Sequence, residues 1–174
     1  MEFESEKAHI FLEQGAQAII VTDDIAFNSG LFLPPHIFQE IALPLYKSVV
    51  TEIKRHTDVP VIFHSDGNIM SVLESLISCG FNALHSIQPS AGMDIGLIKK
   101  QYGKQLCLIG NIDLDHVLTF AAPKEVQENV KQTMDLAAPG GGYILSSCNT
   151  LVDAIPAENA IAMYSLAESY GQYR

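Results

Sequence analysis

With 174 residues, 48% of them hydrophobic and 17% charged, the chain is long enough to bury a sizeable core and carries no low-complexity tract. Its formal net charge of −10 argues against nucleic acid or an anionic membrane as a partner, since both would be repelled. No stretch approaches the ~20 apolar residues of a membrane span. The acidic start Met-Glu-Phe-Glu-Ser-Glu-Lys lacks the basic region of a signal peptide, and three cysteines without CxxC spacing argue against a disulfide framework, so a cytoplasmic protein is expected.

Short apolar runs alternate with amphipathic segments along the whole chain. The first run, residues 18–21, leads into Thr22-Asp23-Asp24. A helix is predicted over 36–56 behind Pro34-Pro35, with Ile37, Ile41, Leu45 and Val49 repeating at spacing four. A strand at 59–63 runs into His64-Ser65-Asp66-Gly67-Asn68, followed by a helix over about 69–79. A strand at 83–84 leads to His85-Ser86-Ile87-Gln88 and a helix over 93–102. The run 106–109 opens into Gly110-Asn111-Ile112-Asp113, with a helix over 124–137 behind it. The last run, 143–145, ends in Ser146-Ser147-Cys148-Asn149 before a helix over 157–170. Gly15, Gly80, Gly103 and Gly171 stand where helices stop, and Pro123 and Pro156 where they start.

The apolar runs are β-branched and do not alternate, as in strands covered on both faces, and their spacing with helices implies βαβ units in a parallel sheet. The fold class is therefore α/β. About five β/α units of a (β/α)8 barrel are expected, in one domain over 1–174, with an open doubly wound sheet as the other topology. In such sheets the site lies at the C-terminal strand ends. Five successive ends here carry Asp, His, Gln, Asn and Cys. Five strands do not close a barrel, so a truncated chain, or association with a copy of itself (a homo-oligomer) or with a partner, is expected.

The individual candidates follow from position. His64 and Asp66 are two apart and can share a face. Asp23 and Asp24 point oppositely if they end a strand, so one faces the site; Asp24 is chosen. His85, Gln88, Asn111 and Asp113 are the expected substrate contacts, with Gly110 allowing close backbone approach. Cys148 follows the last strand, whereas Cys79 and Cys107 sit in apolar contexts and are expected to pack. The Gly140-Gly141-Gly142 run precedes a strand rather than a helix and reads as a turn. Glu158-Asn159 reads as the structural opening of the last helix.

Taken together these stretches resemble the uroporphyrinogen decarboxylase superfamily, which includes the cobalamin-dependent methyltransferases. The resemblance rests on Thr22-Asp23-Asp24, Pro35-His36-Ile37-Phe38-Gln39-Glu40, Phe63-His64-Ser65-Asp66-Gly67-Asn68 and Ile87-Gln88-Pro89. It continues through Gly110-Asn111-Ile112-Asp113, Pro139-Gly140-Gly141-Gly142 and Ile155-Pro156-Ala157-Glu158-Asn159. It covers nearly the whole chain and corresponds to the later strands of a TIM barrel about twice as long, which implies association with a missing N-terminal half. The methyltransferase branch implies transfer of a methyl group from a methylated corrinoid, carried by a corrinoid protein, to a thiol or to tetrahydrofolate. The thiol-directed members hold zinc through a His-x-Cys pair and a Cys on the last strand. Here His64 and Cys148 match, and Asp66 stands where the middle Cys would be, an oxygen ligand that zinc accepts. On this reading Asp24, His64 and Asp66 are catalytic, and His64, Asp66 and Cys148 hold the metal.

The same resemblance implies two alternatives. One is a carboxy-lyase acting on uroporphyrinogen, a tetrapyrrole of porphyrin biosynthesis. That activity relies on arginines, and this chain has only Arg55 and Arg174, neither at a strand tip. The other is a non-catalytic half-barrel serving assembly or binding.

Overall fold

The computed structural model describes residues 2–55 and 57–172, so position 56 of the predicted 36–56 helix and Arg174 lie outside the described residues. Helix α1 (Glu2–Glu13) leads into strand β1 (Ile19–Thr22), and a short hairpin of β2 (Ala26–Phe27) and β3 (Gly30–Leu31) follows. Helices α2 (Pro35–Ile37) and α3 (Leu43–Lys54) flank a π-helical segment at Phe38–Ala42. Then come β4 (Val61–Ser65), α4 (Leu73–Ser78), β5 (Ala83–Ser86) and α5 (Ile95–Tyr102). The chain closes with β6 (Cys107–Ile112), α6 (Pro123–Ala137), β7 (Tyr143–Ser147) and α7 (Ala157–Tyr170). The five longer strands have the order β1-β4-β5-β6-β7, each separated from the next by a helix. That is the order of consecutive strands in a (β/α)8 barrel, of which this chain holds five units.

Residues cluster into two compact units, 1–84 and 85–174. In the first, β1 and β4 pair in parallel with Ile20 opposite Ile62 and Thr22 opposite His64. Behind β4, its buried Phe63 meets Phe81 and Tyr46 at ring-centroid distances of 5.0 and 5.3 Å, and Tyr46 in turn meets Phe38 at 5.9 Å. Val49, Val50 and Ile53 of α3 complete this core.

The spacing-four stripe predicted for this helix is corrected by the structure. Ile41 and Leu45 are 58% and 46% exposed, whereas Phe38, Tyr46, Val49, Val50 and Ile53 are buried. The π-helical segment Phe38–Ala42 adds residues to one turn and rotates everything after it, so a constant period cannot follow the buried face.

In the second unit β6 and β7 are parallel, with Asn111 opposite Ser146 and Ile112 opposite Ser147. Leu108, Ile112, Leu118, Val126, Val130 and Met163 are fully enclosed, each burial contributing about 1.5–3 kcal/mol. Pro123 starts α6, and the Glu125 side chain reaches back to accept from the Ala122 N–H at 2.8 Å. Asn159 is 1% exposed and its amide donates to the Leu118 and Ala121 carbonyls, both at 2.9 Å, which ties the start of α7 to the loop before α6. Its structural reading is thereby supported. The triple-glycine run forms the turn into β7, with the Gly141 N–H donating to the Ala138 carbonyl at 2.9 Å.

Each of the five longer strands extends one to three residues beyond the apolar run that predicted it. Thr22, His64-Ser65, His85-Ser86, Gly110–Ile112 and Ser146-Ser147 all lie within strands. The ladder hydrogen bonds are made by backbone, so a parallel strand continues into polar side chains at no cost to its pairing. Among the described residues no helix is long and apolar enough to cross a membrane.

Candidate functional site

In the first unit the tips of β1 and β4 are stapled together. The Asp23 N–H donates to the His64 carbonyl at 3.0 Å, continuing the ladder past the end of β1. Two residues on, the Ile25 N–H donates to Ser65 Oγ at 3.1 Å, and Ser65 Oγ donates to the Asp66 carbonyl at 2.8 Å. Gly67 lies against the hairpin: a Cβ there would meet the Ala26 carbonyl oxygen at 2.4 Å. The Asn68 N–H donates to the Phe27 carbonyl at 2.9 Å, which anchors the hairpin to the β4 tip.

This scaffold brings Asp24, His64 and Asp66 together. Asp24 Oδ1 accepts the Asp66 backbone N–H at 2.9 Å and lies 3.9 Å from His64 Nε2. One ligand atom from each of the three residues falls within 4.8 Å of the others. The His64 side chain is 17% exposed and that of Asp24 57%, so the cluster is open to solvent on the aspartate side. One imidazole and two carboxylates supply nitrogen and oxygen donors suited to a divalent Lewis-acid metal such as zinc, with room for a further ligand. Asp24 was expected among the catalytic residues and not among the metal ligands, whereas its carboxylate lies in the same cluster as His64 and Asp66. The signal lay in the register, because pairing Thr22 with His64 puts Asp24 level with Asp66.

Asp23 and Asp24 diverge as adjacent residues in extended chain must. Asp23 Oδ2 accepts the Tyr46 hydroxyl at 2.5 Å. Burial, followed by the hydrogen bond to Asp23 and its charge, pushes the Tyr46 hydroxyl far above the ordinary tyrosine range. The folded state therefore keeps a proton that the unfolded chain releases near pH 10, so this contribution to stability is whole below about pH 10 and declines as pH rises above it. Tyr143, raised by burial and donating to the Gly110 carbonyl at 2.6 Å, acts in the same direction. The midpoint of thermal unfolding should drop as pH is raised from about 10 to 12, and Tyr46→Phe should flatten that decline while costing about 1 kcal/mol at neutral pH. Identical slopes for the two proteins would show that Tyr46 does not contribute.

In the second unit the expected substrate contacts separate into distinct settings. His85 Nε2 is 3.1 Å from the Ser147 carbonyl oxygen and 3.5 Å from Ser146 Oγ at the β7 tip. The Gln88 amide donates to Ser90 Oγ at 2.8 Å, and that hydroxyl donates to Asp115 at 2.7 Å. Asn111 donates to the Ile87 carbonyl at 2.8 Å, and Asp113 Oδ1 accepts the His116 N–H at 2.6 Å. Asn111 and Asp113 both line a cavity beside α5 and α6, with which His85 and Gln88 are not associated. Cys148 is 4% exposed, and its N–H donates to the Ile112 carbonyl at 2.9 Å. Cys79 is buried and Cys107 half-buried, and burial pushes both thiols up, which suits packing rather than nucleophilic chemistry.

A run of β/α units with an imidazole–carboxylate cluster at its strand tips places the chain in the (β/α)8 class. The family model for uroporphyrinogen decarboxylase (URO-D) matches residues 2–170, and the chain belongs to that family. It is 27% identical over 175 residues to a uroporphyrinogen decarboxylase of Trichodesmium erythraeum, covering 94% of this chain and 48% of that protein. It is also 27% identical over 169 residues to the methylcobamide:CoM methyltransferase MtbA of Methanosarcina acetivorans, covering 97% of this chain and 47% of the relative. Among solved structures, a methyltransferase from Methanosarcina mazei superposes with a TM-score of 0.81 at 19% identity, over 98% of this chain and 47% of that one. The chain thus spans about half the length of the relatives it matches.

Proposed function

We propose that the chain acts in methyl transfer from a methylated corrinoid to a thiol. The observation that carries this reading is the convergence of Asp24, His64 and Asp66 on one point at the tips of β1 and β4. Similarity to a methylcobamide:CoM methyltransferase supports it. These three residues would hold zinc, which when bound supplies Lewis acidity that lowers the pKa of a thiol into the neutral range. The exposed Asp24 carboxylate gives the released thiol proton a route to solvent, and its hydrogen bond from the Asp66 N–H keeps both carboxylates in place. The thiolate sulfur then forms a bond to the methyl carbon as the carbon–cobalt bond of the donor breaks, its electron pair staying with the corrinoid. Tyr46 and Asp23 hold the β1 tip from behind.

Uroporphyrinogen decarboxylation is the second reading, favoured by the Trichodesmium relative. A substrate bearing many carboxylates needs cationic partners. Arg55 instead follows α3, away from the strand tips, and pairs with Glu52 at 2.7 Å. The two readings are separated by assaying the zinc-loaded chain with methylcobalamin and coenzyme M, and in parallel with uroporphyrinogen. Thiol-dependent demethylation of the corrinoid, followed by its visible spectrum, is expected, with no carbon dioxide released from uroporphyrinogen. Carbon dioxide release without demethylation would reverse the assignment.

A further inference from the structure

The Ser65 hydroxyl is bonded on both sides, and its two partners lie on the two segments that carry the cluster's carboxylates. It accepts the Ile25 N–H at 3.1 Å and gives its one proton to the Asp66 carbonyl at 2.8 Å. Ser65 is 2% exposed, so water has little access to take over either bond. Along β4 Val61, Phe63 and Ser65 are buried while Ile62 and His64 are partly open, as alternation across a strand requires. The serine side chain therefore leaves β4 on the face opposite the His64 imidazole and works from behind the cluster.

Both backbone polar groups of Asp66 are held. Its N–H donates to Asp24 Oδ1 at 2.9 Å, and its carbonyl accepts from Ser65 Oγ. Ile25, bonded to that same hydroxyl, follows Asp24 directly. One hydroxyl thus ties the residue after Asp24 to Asp66, and with the Asp24–Asp66 bond it closes a ring that fixes how far apart the two carboxylates stand. Strand pairing does not reach this far: the register runs to Thr22 opposite His64, and the Asp23 N–H adds one bond to the His64 carbonyl. From Asp24 onward, side chains take over the joining of the two tips.

We propose that Ser65 is a positioning residue for the metal cluster. Its hydroxyl sets the spacing of the Asp24 and Asp66 carboxylates, and through it the affinity and ligand geometry of the bound ion. The inference rests on the metal site proposed above and is independent of the reaction that site serves. Groups standing behind metal ligands ordinarily carry ~10–100-fold in affinity, and a hydroxyl that tethers two ligand segments at once belongs among them.

The test is titration of the metal-free full chain with zinc in competition with a chromophoric chelator. Ser65→Ala should weaken zinc binding at least about tenfold, and Ser65→Thr, which keeps the hydroxyl, should recover most of that loss. Ser65→Cys keeps the volume with a much weaker hydrogen-bonding group on the face away from the metal, and the same loss is expected of it should Ser65→Ala fail to fold. Asn82→Ala is the control. Asn82 Oδ1 accepts the Val61 N–H at 3.0 Å at the opposite end of β4, so its removal loosens the same strand without touching the tip, and zinc affinity should hold. The visible bands of the cobalt(II)-loaded chain, which report ligand geometry, should change in Ser65→Ala and stay as in the wild type in Asn82→Ala. A smaller loss in the folded Ser65 variants, an equal loss in Asn82→Ala, unchanged cobalt bands in Ser65→Ala, or no recovery with Ser65→Thr would overturn the proposal and leave the metal site standing. A wild-type chain that binds no zinc would overturn both.

Discussion

His64→Ala should lower zinc affinity by at least about 100-fold, and Asp66→Ala by a similar factor. At the proposed zinc site, removing one of three protein ligands would delete a metal–ligand bond, a larger loss than the ~10–100-fold that follows from disturbing the groups behind a ligand. Elemental analysis of the purified proteins after reconstitution and dialysis reads the effect directly: near-stoichiometric zinc in the wild type, little in either variant. Asp24→Ala should also lose metal, because Asp24 belongs to the same convergent set and additionally fixes Asp66 through its backbone N–H. Asp66→Cys should bind zinc more tightly than the wild type, since a thiolate is the softer and stronger donor for this ion. Cys148→Ser tests the ligand implied by family resemblance alone; full retention of zinc would assign the centre to the first unit's three residues. A wild-type chain that stays metal-free after reconstitution sinks the thiol-activation mechanism.

Gly110→Ala should be among the most destabilising single substitutions in the chain. Gly110 has φ +134°, and a Cβ built on it would lie 2.3 Å from the Ser86 carbonyl oxygen. Neither atom belongs to a flexible side chain, so backbone must move. Steric overlap and backbone strain together should cost about 4 kcal/mol or more, a fall of roughly 8–16 °C in the unfolding midpoint of a chain this size. Gly140→Ala provides the contrast. Its φ is +78°, but no atom lies within 4 Å of the added Cβ, so only the left-handed conformation is penalised, by about 1 kcal/mol. Comparable losses in the two variants, measured by circular dichroism on heating, would mean that the Ser86 contact is not what demands glycine at 110.

The alternation of strand and helix was legible because buried parallel strands and amphipathic helices leave different periodicities in composition. Helix α7 coincides with its predicted span, 157–170, and α6 begins one residue early. The β2–β3 hairpin, by contrast, was not foreseen. Its four strand residues are too few to show a period, and the edge-to-face pair Phe27–Phe32, 4.3 Å between centroids, becomes visible only once the turn is formed. The inward face of α3 was misread because a π-helical turn breaks the period on which such readings depend.

Among candidate site residues, His64 and Asp66 could be grouped from their spacing alone. Asp23 and Asp24 could not be told apart with certainty of role until Tyr46 was seen to hold Asp23 and Asp24 to face His64. Asn111 and Asp113 were legible as polar residues at a strand end, but not as the lining of a cavity shared with Asn129, Gln132 and Thr133 of α6. The sequence by itself determined the parallel α/β class, the family, and the strand ends on which polar groups gather, because all three follow from local periodicity and short contiguous motifs. Tertiary structure alone decided which of those groups meet. Register between β1 and β4 brings Asp24 to residues forty and forty-two positions away, and no local pattern encodes that distance.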